Sequence, residues 1–170
     1  MTSYTPFMQA VAETIKGDPR FAVSRHQNTL SLNRWRKEGW TIGARKYSCY
    51  AFAAVHPPDM RECMSAIYLL NGINVGLSLP ISAQYQEVWD IPTVPGGVKG
   101  SWGGHCVYIK AYDGNGLTCV TWGGLKKMTW AFFTVYCDEA YAIIDNRNLW
   151  LGDASPVDLE KLSKYLQAVS

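Results

Sequence analysis

Cys49 and His105 are the two side chains of this sequence that could together form a nucleophile. A cysteine attacks a carbonyl carbon well only as a thiolate, and a neighbouring imidazolium stabilises that thiolate. Cys49 lies in the run Ser-Cys-Tyr-Ala-Phe-Ala-Ala-Val over residues 48–55, and His105 follows two glycines much later in the chain. If the fold brings the two side chains together, the expected chemistry is hydrolysis of a peptide or amide bond.

The other cysteines do not suggest a metal site or a disulfide framework. Cys63, Cys119 and Cys137 are spread through apolar sequence, and no Cys-x-x-Cys occurs, so we predict reduced thiols and no structural zinc. Cys106 is adjacent to His105, but strand alternation predicts that it points to the opposite face. The sequence contains no phosphate-binding loop or dinucleotide fingerprint, and we therefore predict no metal and no cofactor.

The elements that would position these residues are short helices and strands. Pro57 and Pro58 would stop a helix that began at Cys49, and the residues around Cys49 alternate as a buried strand does. Residues 81–104 are rich in glycine and proline and predict a long exposed loop. In the first half of the chain we predict helices at 5–17 and 31–40, a strand at 46–55, a helix at 59–72 capped by Asp59 and Glu62, and a strand at 73–80. In the second half we predict a hairpin of strands 105–113 and 117–123, a helix at 129–139 capped by Thr129, a strand at 140–145 and a helix at 155–169.

The segment GSWGGHCVYIKAYDGNGLTCVTWGG, residues 100–124, resembles the histidine half of papain-type cysteine peptidases. In that family the histidine follows Gly-Gly, and a strand later carries Asn-Ser-Trp-Gly. The resemblance covers residues 46–145. The chain resembles papain-fold proteins of tailed phages and bacteria more closely than it resembles the peptidases themselves. It implies an α+β, papain-like fold, a small antiparallel sheet flanked by helices. We expect one domain over 1–170, with a helical N-terminal part at 1–45, the sheet core at 46–145, and a C-terminal tail and helix at 146–170.

The family's catalytic roles are filled only in part. His105 matches the family's histidine, but Val120 stands where the asparagine that orients the imidazole is expected; Thr121 would substitute if the register slipped. Gly43 stands where an oxyanion glutamine would belong if Cys49 were the nucleophile. Residues 1–45 contain no cysteine, whereas the related phage proteins carry their nucleophile segment upstream. We therefore expect no catalysis, and a vestigial site at His105, Val120 and Trp122.

The predicted function is that of a structural or interaction component of a phage particle: head, neck, tail or decoration. The expected partners are phage structural proteins or copies of the chain itself, in the virion or the host cytoplasm, and no signal segment for secretion is recognised. The formal net charge of +2 argues against nucleic acid, and no apolar run is long enough for a membrane span. The predicted contact residues are Arg34, Arg36, Lys37 and Trp102.

Two alternatives stay open. One is a compact active cysteine peptidase or amidase, in which Cys49 attacks, His105 is the base and backbone amides near Cys49 stabilise the oxyanion. The other is an intracellular regulator that binds peptides in an inactive cleft.

Overall fold

A computed structural model describes residues 27–145 of the chain, so the helices predicted at 5–17 and 155–169 lie outside the described residues. The described residues belong to two compact units, one of residues 54–142 and one of residues 27–53 with 143–145. The prediction of a single domain stays a prediction. The elements in chain order are α1 (Gln27–Glu38), β1 (Trp40–Ile42), β2 (Arg45–Tyr47), β3 (Cys49–Ala54), α2 (Met60–Leu70), β4 (Ile73–Leu79), a 3₁₀ helix (Ile81–Tyr85), β5 (Val88–Trp89), β6 (Gly103–Tyr112), β7 (Gly116–Thr121), β8 (Gly124–Thr129), α3 (Trp130–Tyr136) and β9 (Cys137–Asp145).

The predicted fold class, a small antiparallel sheet flanked by helices, is wrong. The main sheet has seven strands in the order β3-β9-β4-β6-β7-β8-β5, and it is mixed because β5 runs parallel to β8. A second sheet pairs β1 with β2. The prediction failed because β5 has only two residues and β8 carries two lysines, so neither shows the apolar alternation that marks a strand in the sequence.

Strand β4 sets the buried face of the larger unit. Its odd-numbered residues from Ile73 to Leu79 are buried, whereas the residues between them are half-buried. Because the side-chain period of a strand is two, these four apolar side chains point to one face of the sheet. The strand ends before Pro80, which has no N–H to donate to a ladder.

The hairpin of β6 and β7 is stabilised by Asp113. Its Oδ1 accepts hydrogen bonds from the backbone N–H groups of Asn115 and Gly116, at 2.7 and 3.0 Å. These two bonds hold the pKa of the Asp113 carboxyl below its ordinary value. Because β6 and β7 pair antiparallel on either side of this turn, the hairpin predicted from Gly-Asn-Gly is confirmed.

Helix α2 begins as predicted at an aspartate cap. Asp59 Oδ1 accepts hydrogen bonds from the N–H groups of Arg61 and Glu62, at 2.9 and 3.0 Å. Glu62 does not close the expected capping box with Asp59, because its Oε2 instead accepts the N–H of His56, at 3.2 Å. The carboxylate of Glu62 thus fixes the chain that leads into the helix.

The segment predicted as a long exposed loop, 81–104, is partly buried. It contains the 3₁₀ helix and β5, and Trp89 in β5 is 0% exposed. The indole N–H of Trp89 donates to the backbone carbonyl of Ala83, at 3.0 Å, so its polar atom is satisfied inside the core. The ring stacks on Phe132 of α3, with 5.6 Å between centroids.

The smaller unit contains a helix packed by aromatic rings. Trp35 of α1 stacks on Trp40 of β1, with 5.1 Å between centroids and 17° between planes. The Trp35 indole N–H also donates to the carbonyl of Tyr47, at 3.0 Å. None of the three α-helices within residues 27–145 is long and apolar enough to cross a membrane.

Candidate functional site

His105 lies near the start of β6, on the face that the apolar residues of β4 share. Its register partner is Leu77, which is buried, and Val107 and Ile109 follow it on the same face. The next residue, Cys106, is exposed and its thiol lies 3.4 Å from Asn74 Oδ1. Strand alternation therefore separates the imidazole from the adjacent thiol, as the sequence predicted.

Thr121 holds the imidazole of His105. The Nε2 atom of His105 lies 2.5 Å from Thr121 Oγ1, and a hydroxyl can accept a proton from this nitrogen or donate one to it. Val120 pairs with Tyr108 on one side and Leu125 on the other, and it is 41% exposed. Because neighbouring residues of a strand point to opposite faces, Thr121 and not Val120 meets the ring.

Trp122 covers the imidazole of His105. The two rings stack with 4.2 Å between centroids and 14° between planes. Trp122 and Gly123 form the two-residue turn between β7 and β8, with φ of 43° and 75°. The left-handed conformation favours Asn or Gly over a bulky side chain, so the turn places an unfavourable residue over the ring.

Two further tryptophans border the stacked pair. Trp89 meets His105 and Trp122 edge-on, at centroid distances of 6.5 and 6.0 Å. Trp102 lies 5.3 Å from Trp122, tilted by 38°. The ammonium of Lys126 is 5.8 Å from the Trp89 ring and donates to the carbonyl of Gln86.

Partial burial favours the neutral form of the His105 ring. Partial burial lowers the pKa of His105, because the charged imidazolium loses solvation there. In the tautomer in which Nε2 donates its proton to Thr121, the unprotonated Nδ1 can act as a base. The arrangement therefore preserves an oriented imidazole, and its chemistry depends on whether an activated nucleophile reaches it.

The thiol of Cys49 has the properties of a core residue. Cys49 begins β3, is 2% exposed, and its Sγ donates to the carbonyl of Ala51, at 3.5 Å. Burial, with a smaller effect from Asp145, raises the pKa of its thiol to about 12. A catalytic cysteine needs the opposite shift, and its usual position is the beginning of a helix.

The other four cysteines also lie within the described residues. Loss of solvation raises the pKa of each thiol, including that of Cys106, whose sulfur is partly shielded although the residue as a whole is exposed. The pKa of Cys63 is raised to about 12 and that of Cys119 to about 11. Those of Cys106 and Cys137 are raised as well. All five cysteines of the chain are unpaired, and only Cys106 is exposed.

The predicted contact residues on α1 are exposed. Arg36 and Lys37 lie in the last turn of the helix, and Arg34, just before it, forms an ion pair with Glu38, at 2.9 Å. An exposed pair of this kind contributes little to stability, so it leaves Arg34 available for a partner. Trp102, the fourth predicted contact residue, is half-buried beside Trp122.

A second polar cluster joins a loop to the sheet. Asp138 accepts a hydrogen bond from the Ser78 hydroxyl and forms an ion pair with Lys99, at 2.8 Å. These contacts position the chain just before Trp102. Within residues 27–145, no group of three or more His, Cys, Asp or Glu side chains could hold a metal ion.

Sequence reasoning missed two residues of the site. Thr121 entered only as a substitute for Val120, although alternation from the buried Cys119 places Thr121 on the His105 face. Trp89 lies in a segment without periodicity, so its burial had no sequence signal.

No protein-family model matches the chain, and a search of curated proteins finds no similar sequence. The resemblance to papain-type peptidases thus stays a prediction from the motifs.

Proposed function

We propose that this chain is a catalytically incomplete relative of papain-like peptidases that works through its surface as an interaction component of a phage particle. The observation that carries the proposal is the position of Cys49, which begins strand β3, is 2% exposed, and donates its thiol to the backbone carbonyl of Ala51. A thiol attacks only in its ionised form, and loss of solvation, which raises the pKa of all five cysteines, disfavours that form.

The surroundings of His105 support a binding role. The ring is held by Thr121 and covered by Trp122, which is 63% exposed. A large aromatic side chain that remains exposed beside an ordered polar group is typical of contact surfaces. Placement in a particle rests on the resemblance to papain-fold proteins of tailed phages.

Thiol reactivity tests the loss of catalysis. We expect an iodoacetamide probe at pH 7 to modify only Cys106 in the folded protein, no faster than it modifies glutathione, because Cys106 is exposed and its pKa is raised. Mass spectrometry of tryptic peptides would locate the label. The variant His105→Ala should leave this pattern unchanged.

The competing enzyme predicts another result in the same experiment. Rapid labelling of Cys49 that disappears in His105→Ala would contradict the proposal, because only a thiol paired with an imidazole reacts so quickly at neutral pH. That outcome would establish the peptidase or amidase alternative. The variant Cys106→Ser serves as the control, since it removes the expected label without touching Cys49.

Composition of purified particles tests the placement. Mass spectrometry of intact phage particles from a host producing this chain should detect it at a stoichiometry of one or more copies per particle. Its absence from particles, together with its presence in the host cytoplasm, would contradict the particle role and support the peptide-binding regulator. The two experiments are independent, so the catalytic and the structural parts of the proposal can fail separately.

A further inference from the structure

Within the described residues, the smaller unit has a net positive charge and the larger unit a net negative one. Residues 27–53 contain five basic residues and one acidic residue, whereas residues 54–142 contain five basic and seven acidic residues. The five cations of the smaller unit are all exposed: Arg34, Arg36, Lys37, Arg45 and Lys46. The net charge of the whole chain, +2, thus averages over an unequal distribution, and a positive surface of this kind attracts anionic partners.

The cations of helix α1 and those of the β1–β2 hairpin are neighbours. Arg36 and Lys37 belong to the last turn of α1, which ends just before Gly39. A Cβ at Gly39 would come within 2.6 Å of Lys46 Cε, so the aliphatic chain of Lys46 lies over the end of the helix. The hairpin and the helix end therefore form one basic surface, a name used here for Arg36, Lys37, Arg45 and Lys46.

Trp40 presents a flat apolar ring beside these cations. Its indole stacks on Trp35, with 5.1 Å between centroids and 17° between planes, and Trp40 is 57% exposed. The Trp35 indole is itself anchored, because its N–H donates to the carbonyl of Tyr47, at 3.0 Å. One face of the Trp40 ring is therefore fixed against the protein, and the opposite face is accessible to a partner.

Strand register places Arg45 on the same face of the hairpin as Trp40. Trp40 pairs with Tyr47, and Arg45 lies two residues before Tyr47, so the three side chains point to one face. Diagonal neighbours of this kind are about 7–8 Å apart, a distance that an arginine side chain can span. A phosphate group whose base stacks on Trp40 can therefore meet the guanidinium of Arg45.

We propose that the basic surface and Trp40 bind single-stranded nucleic acid, with one base stacked on Trp40 and the phosphates at the four cations. Single strands are bound by this combination of a positive surface and an exposed aromatic ring, and the stacking tolerates any sequence because every base has a flat face. A double helix offers phosphates but no unpaired base, and an acidic peptide offers carboxylates but no base. The inference goes beyond the proposed function, because it depends neither on the thiols nor on placement in a particle.

Two variants separate the stacking contact from the charge. Trp40→Leu removes the flat ring but keeps an apolar contact with the helix, and Trp40→Phe, which keeps a ring, is its matched control. The double variant Arg36→Gln, Lys37→Gln removes two exposed cations of the basic surface. Its control, Lys110→Gln with Lys127→Gln, removes two exposed lysines of the larger unit. Circular dichroism and thermal unfolding would establish that all four are folded.

Fluorescence anisotropy of a labelled thymidylate strand, about twelve nucleotides long, is the decisive measurement. We expect Trp40→Leu to bind the strand about tenfold more weakly than the wild type, and Trp40→Phe to stay within about threefold of it. Each phosphate contact of a single strand contributes about 0.7 to the slope of log affinity against log salt concentration, so the slope should shrink by about 1.4 in the Arg36, Lys37 double variant. The lysine control should keep the wild-type slope. A wild type that does not bind the strand, or a Trp40→Leu variant that binds as tightly as the wild type, would overturn the proposal.

Three further probes distinguish a single strand from other anions. An abasic strand of the same length keeps the phosphates, so it should bind the wild type about tenfold more weakly than the thymidylate strand does, and it should bind Trp40→Leu as well as the wild type. Equal binding of the abasic and thymidylate strands would contradict stacking on Trp40. Tighter binding of duplex DNA or of polyglutamate than of the single strand would assign the surface to a double helix or to an acidic protein instead. The thiol and particle experiments would stand in every case, so a failure here is distinguishable from a failure of the proposed function.

Discussion

His105 shows how tertiary contacts can orient a single side chain. The hydroxyl of Thr121 hydrogen-bonds to Nε2 of the ring, and Trp122 covers the ring. The imidazole is therefore held by contacts with two residues of the strand and turn that follow it in the sheet. This orientation does not imply catalysis, because an oriented base also requires an ionisable nucleophile.

The hydrogen bond between Thr121 and His105 should have a measurable effect on stability. The substitution Thr121→Val removes the hydroxyl at nearly constant side-chain volume. We expect it to lower the free energy of unfolding by about 1 kcal/mol. Thr121→Ser keeps the hydroxyl and is the matched control. Nitrogen-15 spectra of the histidine ring should shift in the valine variant and not in the serine variant. Equal spectra and stabilities in both would show that this bond does not hold the ring.

Stability should depend on pH through His105. Its pKa in the folded protein lies below its ordinary value of 6.5, so between the two values the unfolded chain binds the proton and the folded chain does not. The free energy of unfolding should therefore fall as the pH drops below about 6.5 and stop falling below the folded pKa.

Urea titrations at several pH values between 7.5 and 5 would test this dependence. The variant His105→Gln should show a shallower decrease than the wild type over that range, since the other histidines are present in both proteins. An unchanged pH profile in His105→Gln would contradict the assignment.

At the scale of elements, the hairpin that carries Thr121 depends on a close approach at Gly116. A Cβ at this position would fall far inside van der Waals contact with the carbonyl oxygen of Met128 in β8. We expect Gly116→Ala to lower the free energy of unfolding by about 3 kcal/mol, because the strands must separate to admit the methyl group. Thermal or urea unfolding measures the effect.

Gly114, two residues earlier, supplies the matched control. A Cβ there meets no atom within 4 Å, so Gly114→Ala should change stability by no more than about 0.5 kcal/mol. Similar losses in both alanine variants would mean that the turn, and not the contact with β8, limits the position.

At the scale of the larger unit, Trp89 links the segment 81–90 to the core. It is 0% exposed, stacks on Phe132 and meets the rings of His105 and Trp122. Trp89→Ala should cost about 3–5 kcal/mol, the usual range for removing a buried aromatic side chain. The same substitution at the exposed Tyr85 should cost less than about 0.5 kcal/mol.

The measurement at Trp89 also tests the connection between core and site. Amide hydrogen exchange should accelerate in residues 81–90 and at the turn of Trp122 in a Trp89→Phe variant, which is expected to fold more stably than Trp89→Ala. Acceleration confined to residues 81–90 would contradict a link between Trp89 and the His105 site.

The sequence by itself determined the elements whose causes are local. The Asp59 cap, the end of β4 before Pro80, and the Asp113 turn are each specified by residues within a few positions, and the structure confirms them. Tertiary structure alone decided β5, β8 and the burial of Trp89. These elements exist only because distant strands offer backbone partners and apolar surface, and such pairing leaves no periodic pattern in a two-residue strand or a lysine-containing one. The same holds for the His105 contact with Thr121, which strand pairing brings together over sixteen positions of chain.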